Sequence, residues 1–130
     1  MTMPLHSLQP RYALVTLCND EVSPRFDLTA EVLICPLLPD AETAGLPEGH
    51  RHLVLAHVSG EELCDVITRS GVSVVVCGGI EEDYFHYLRW KRIEVISDVM
   101  GPAAEALCKL ARGELNPGDC LFEPAREEEA

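Results

Sequence analysis

The sequence predicts an α/β fold, a mixed five-stranded sheet covered by three helices. Three observations lead there. Val72 to Cys77 is apolar and mostly β-branched, interrupted only by Ser73, and set between Gly71 and the pair Gly78-Gly79, as a strand buried on both faces requires. From Gly71 to Leu115 strand and helix patterns alternate, so two neighbouring parallel strands joined by a right-handed crossover are the default geometry. Ahead of residue 59, three short apolar runs follow one another without a helical period between them, which reads as an antiparallel meander.

Taken in order, residues 1–10 read as a flexible leader ending at Pro10. Tyr12 to Cys18 is the first strand. The next stretch, Asn19 to Ala30, carries Pro24, is too polar and broken for a strand, and is too long for a tight hairpin turn, which makes it a candidate functional loop. Val32 to Cys35 is the second strand, Pro36 to Arg51 a connection rich in Pro, Gly and acids, and His52 to His57 a short third strand. Ser59-Gly60-Glu61-Glu62 is a capping box, so a helix runs to about Ser70 and stops at Gly71. After the fourth strand, Val72 to Cys77, come a helix from Ile80 to Trp90 and the fifth strand, Ile93 to Ile96. The last helix starts near Pro102, with Asp98 or Gly101 as candidate cap, and ends at Gly113 with Lys109 and Arg112 at its negative end. One domain over 11–115 and an acidic tail over 116–130 follow.

Composition narrows the classes. With 130 residues and 47% hydrophobic content the chain fits one domain with a real core. A net charge of −12 opposes nucleic-acid binding. No apolar run approaches the length of a membrane span, and the start has no basic region followed by an apolar core, so the expected setting is cytoplasmic with no membrane partner. Six cysteines stand at 18, 35, 64, 77, 108 and 120, no two of them in a Cys-x-x-Cys spacing, which argues against a zinc knuckle or a ferredoxin loop. Cys64 and Cys108 read as core residues of helices, His86 as an exposed or packed helix residue, and His50 and His52 as solvated or as an adventitious metal pair.

If the first and fourth strands are adjacent and parallel, Cys18 and Cys77 share one carboxyl edge, beside the Asn19 to Asp27 loop and the Gly78-Gly79 turn. Open α/β sheets bind ligands at that edge. Gly78 and Gly79 let backbone donors approach a ligand, the following helix aims its positive end there, and Arg25 adds a permanent cation, with Asn19 and Ser23 as supporting polar groups. Soft thiolates from Cys18 and Cys77 as metal ligands, together with these donors, suit an anionic metal-sulfur cluster.

Specific residues also carry a resemblance. Val74-Val75-Val76-Cys77-Gly78-Gly79-Ile80, then Ile93-Glu94-Val95-Ile96, then Gly101 with Glu105-Ala106-Leu107 and Gly113-Glu114-Leu115, resemble the dinitrogenase iron-molybdenum cofactor biosynthesis family, the NifX-like nitrogenase accessory proteins. At the front, Ala13 to Cys18 followed by Val22-Ser23-Pro24-Arg25-Phe26 is similar to that family's first strand and its Val-Ser-x-His-Phe-Gly loop. The resemblance covers residues 11 to 115. It implies a ribonuclease H-like fold and a carrier that reversibly binds an iron- or molybdenum-containing metal-sulfur cluster, or its precursor, and exchanges it with a cluster-donating or cluster-receiving protein. Two positions depart from the motif, Arg25 for the family's His and Asp27 for its Gly, and guanidinium cannot ligate a metal. A metal-free interaction or regulatory module that retains the fold is the alternative, and a thiol sensor using Cys120 a third. Catalysis is not expected: Tyr12 to Leu17 carries no carboxylate for the paired metal ions of a ribonuclease H-like nuclease, and no nucleophile elbow, Walker motif or dinucleotide fingerprint is present.

Overall fold

The strand Arg11–Cys18 (β1) occupies the middle of the sheet, and residues Ala13 to Leu17 within it are all buried because helices cover both faces. The computed structural model describes residues 11–37 and 48–122; the expected leader over 1–10, most of the second connection and the acidic end of the tail lie outside them. After β1 come Glu21–Val22 (β2), Glu31–Leu37 (β3), Arg51–Val54 (β4), Gly60–Ser70 (α1), Val74–Val76 (β5), Glu82–Trp90 (α2), Glu94–Ile96 (β6) and Ala103–Ala111 (α3). The sheet runs β4-β3-β1-β5-β6, antiparallel on the β4 side and parallel on the β6 side, with β2 attached to the end of β1. This is the mixed sheet with three helices that the sequence predicts, with one strand more.

That extra strand corrects one expectation. Asn19 and Asp20 both take the left-handed conformation (φ 53 and 68), which two-residue type I′ hairpins need and which Asn and Asp tolerate best. The candidate loop therefore starts with a tight hairpin, Leu17 pairing with Val22 and Cys18 with Glu21, and only then leaves the sheet. The third strand ends at Val54, earlier than expected, where the Leu55 amide turns back to the Ala30 carbonyl at 2.8 Å.

Alternation along β1 sorts the core into two layers. Ala13, Val15 and Leu17 pack with Val74, Val76, Ile96 and the α3 residues Ala103, Ala106 and Leu107. Leu14 faces the other way, with Val75, Cys77, Phe26, the α1 residues Leu63 and Ile67, and Leu88 of α2. The predicted punctuation is present in part. Ser59 Oγ accepts from the Glu62 amide at 3.0 Å, and Gly71 and Gly113 take positive φ after α1 and α3. Asp98 and Gly101 do not cap α3; Pro102 holds that position without a side-chain bond. Gly101 instead makes room for Leu121, whose Cβ would lie 2.8 Å from a Cβ added there. Residues 119–121 run back beside Met100, with Leu121 N–H donating to the Met100 carbonyl at 2.7 Å and Met100 N–H to the Asp119 carbonyl at 3.0 Å.

Candidate functional site

Parallel pairing of Ala13 with Val74, Leu14 with Val75 and Val15 with Val76 brings the ends of β1 and β5 to one carboxyl edge, as expected. By alternation Thr16, Cys18 and Cys77 then belong to the face that α1 and α2 cover. The chain does not leave this edge open. Ser23 N–H donates to the Thr16 carbonyl at 2.8 Å, Gly79 N–H to the Pro24 carbonyl at 2.9 Å and Phe26 N–H to the Gly79 carbonyl at 2.8 Å, so the loop is stitched to the turn after β5. Phe26 is fully buried, 5.6 Å from the Tyr84 ring, and anchors the loop from above. Inside the loop the Arg25 carbonyl accepts from Ser23 Oγ at 3.2 Å and from Thr29 Oγ1 at 2.8 Å.

These bonds change the role of the two glycines. Gly78 and Gly79 are read from sequence as places where backbone meets a ligand, and here they meet the chain's own loop. A Cβ on Gly78 would collide with the carbonyl oxygens of Ser23 and Pro24, and the Gly79 amide already has the Pro24 carbonyl as acceptor. Nor is the start of α2 prepared for an anion, since Glu81, Glu82 and Asp83 already place carboxylates at its positive end.

The two thiols differ in the same way. Cys77 is fully buried, and burial, with Asp98 adding to it, pushes its thiol up to about 12, so it is a protonated core group in this conformation and not a ready soft ligand. Cys18 is exposed. It lines a recess of about 160 Å³ together with Asn19, Ser23, Leu28 and Glu31. Arg25 points its guanidinium at Asp27, Nε to Oδ1 at 3.1 Å and Nη2 to Oδ2 at 2.8 Å, so the expected free cation is paired within the loop. Of the predicted site residues, Cys18, Asn19 and Ser23 are therefore brought together, Cys77, Gly78 and Gly79 lie in the seam beneath the loop, and Arg25 faces outward.

Elsewhere, Cys35 and Cys64 are buried, Cys108 is half-buried and Cys120 is exposed. His50 and His52 line a recess of about 300 Å³ with Leu17, Asp20, Leu33, Ala103 and Ala104, and His52 Nε2 lies 3.2 Å from a Glu31 carboxylate oxygen. No group of three or more His, Cys, Asp or Glu among the described residues is arranged to hold a metal ion. Sequence reasoning missed Thr16, whose hydroxyl is fully buried with no partner among the described residues, and the anchoring role of Phe26. An aromatic residue inside a polar loop was the available signal for the second. No helix among the described residues is long and apolar enough to cross a membrane.

No protein-family model and no curated protein matches the chain. Solved structures do. The crystal structure of PH0822 superposes with a TM-score of 0.67 at 17% identity, over 82% of this chain and 93% of the other. MJ0327 of Methanocaldococcus jannaschii, described as a candidate dinitrogenase, gives 0.60 at 17% identity over 83% and 94%. The apo form of the orange protein from Desulfovibrio gigas gives 0.63 at 21% identity over 84% and 93%. The chain shares the fold of these proteins over nearly their whole length.

Proposed function

We propose that the protein is a non-catalytic accessory protein of the NifX-like type, which takes up an anionic metal-sulfur cluster or cluster precursor at the carboxyl edge of β1 and passes it to a second protein. The observation that carries this reading is the recess where Cys18, Asn19 and Ser23 meet, at the carboxyl edge of β1, the kind of edge at which open α/β sheets bind ligands. The fold's company supports it, since neighbours include a candidate dinitrogenase and a protein studied in its apo form. The donor set fits such cargo only in part. Cys18 is the accessible thiol of the recess and Asn19 can add a hydrogen bond to sulfide, whereas the Ser23 hydroxyl and amide are already given to the Arg25 and Thr16 carbonyls and shape the wall. A preformed cluster brings its own bridging sulfides, so a single thiolate is enough for a labile attachment and further ligands come from the partner. One weak attachment suits a carrier, which must also let go.

A second reading, a metal-free interaction module, has one observation in its favour: the bidentate Arg25–Asp27 pair removes the free cation that an anionic ligand would meet. The two readings separate in one experiment. Anaerobic incubation with iron, sulfide and tetrathiomolybdate, followed by desalting, should leave stoichiometric metal and a visible absorption band on the wild type and much less on Cys18→Ser. A wild-type protein that keeps neither metal nor colour ends the carrier reading in favour of the interaction module.

A further inference from the structure

Helix α2 carries opposite charges at its two ends and aromatic rings on the outside between them. Glu81, Glu82 and Asp83 open it, and Arg89, Lys91 and Arg92 close it, so a chain of net charge −12 gathers three of its ten Lys and Arg within four positions. Leu88 points inward and is buried, whereas Asp83, His86 and Trp90, at i, i+3 and i+7, run along the outer face and are exposed. Trp90 is the only tryptophan and is 74% exposed, with the Tyr87 ring 6.4 Å away. Large aromatic rings are normally covered, and Tyr and Trp left in water are typical of interfaces. The Lys91 ammonium lies 5.2 Å from the Trp90 ring centre and 5.7 Å from that of Tyr87. None of the six charged groups forms a salt bridge among the described residues. Two recesses flank the rings: one of about 420 Å³ has three carboxylates in its lining, Glu61, Asp65 and Asp83, and the other, of about 340 Å³, has two cations, Arg89 and Arg92, against the single carboxylate of Glu94.

We propose that this face is the two-fold contact of a homodimer, with α2 packed antiparallel against α2 of a second copy. A two-fold contact uses one patch twice, so the patch must complement itself. Turning α2 end for end about a midpoint near His86 does this, setting 81–83 of each copy against 89–92 of the other. Each acidic end meets a basic end, each Trp90 is covered near the other copy's Asp83 and Tyr87, and both recesses are closed. No unrelated partner is required to satisfy the charges. A contact built on one nine-residue helix and its flanks is small beside the roughly 1,600 Å² of a standard interface, so the dimer is concentration-dependent, and its ion pairs make it salt-sensitive.

Sedimentation velocity on the full chain, from micromolar to near-millimolar protein in low salt, tests this. The expected result is a shift from monomer to dimer, a simultaneous blue shift of Trp90 fluorescence, and reversal by added salt. Glu81→Lys/Glu82→Lys/Asp83→Lys gives an all-basic helix and Arg89→Glu/Lys91→Glu/Arg92→Glu an all-acidic one. Each should be monomeric alone, and an equimolar mixture should form heterodimers, because both sets of contacts are restored between unlike copies. Trp90→Ser, which alters a side chain lying mostly in solvent, should weaken association about tenfold or more without loss of circular dichroism. A wild type that stays monomeric throughout, reversed variants that still self-associate, or a mixture that stays monomeric would each overturn the proposal.

Discussion

Arg25 and Asp27 hold one another through two parallel hydrogen bonds, and they are the two positions at which this loop departs from the motif it resembles. The paired departure is chemically coherent. Where the motif it resembles has an imidazole and a hydrogen, this loop has a cation and a carboxylate, and the two charges cancel within it. The pair raises the arginine's pKa, through the hydrogen bond to Asp27 first and its charge second.

Asp27→Gly releases that cation. The variant should bind tetrathiomolybdate several-fold more tightly than the wild type, as followed by equilibrium dialysis, with a modest fall in Tm, since the Arg25 side chain is mostly in solvent but that of Asp27 is only 24% exposed. Unchanged affinity would mean that Arg25 takes no part in holding anions even when free.

Gly78→Ala forces a methyl group against the backbone of Ser23 and Pro24, with the Pro24 carbonyl oxygen 2.7 Å from the new carbon. Backbone on both sides leaves no flexible atom to move aside, so the seam must open. A loss of about 1 to 3 kcal/mol is expected in urea unfolding. Gly79→Ala, with its nearest contact at 3.5 Å, should cost clearly less.

The thiols should fall into two classes. Cys18 and Cys120 should react quickly with an aromatic disulfide reagent in the native state, and Cys35, Cys64 and Cys77 only on unfolding. Burial raises these three thiols from 9.0 to about 11, 11 and 12, with Glu61 adding to the effect at Cys64 and Asp98 at Cys77. A raised folded value means that the unfolded chain loses its protons first. The contribution of these thiols to stability is therefore complete below about pH 9 and declines as pH rises toward 11 to 12. Midpoints of urea unfolding that stay level from pH 8 to 11 in the wild type would contradict this.

Thr16 carries a hydroxyl that is fully buried and unpartnered among the described residues. Thr16→Val keeps the branched shape and removes the unmet hydrogen bond, so a gain of about 1 kcal/mol or more is expected by thermal unfolding. A loss instead would show that the hydroxyl has a bound partner.

The hydrophobic pattern made most of the architecture legible. Val74 to Val76 announces a strand covered on both faces, and the capping sequence at Ser59 starts a helix within a residue of its place. The hairpin at Asn19-Asp20 was less visible, because Asn and Asp permit positive φ without the glycine that marks a strong two-residue turn, and the returning strand is only Glu21–Val22. The candidate site was legible in position and much less so in state. Cys18 and Cys77 follow similar apolar runs in the sequence, and what separates an exposed thiol from a buried one is a loop that arrives from about fifty residues away to cover the second. Likewise Gly78-Gly79 reads equally well as a cradle for a ligand and as a seat for the protein's own backbone. Only the carbonyls of Ser23 and Pro24 decide between them.

The pairing of Ala13 with Val74 joins residues 61 positions apart, and it closes the middle of the sheet. During synthesis β1, β3 and β4 emerge first and can form their meander, but one long edge of β1 stays bare until β5 and the Gly78-Gly79 turn have left the ribosome. Closing so long a loop is entropically slow, and until it closes Leu14, Val15 and the amides beside them are open to the wrong partner. The moment of greatest hazard for this chain therefore comes midway through its birth, when a chaperone covering β1 would matter more than any that acts on the finished protein.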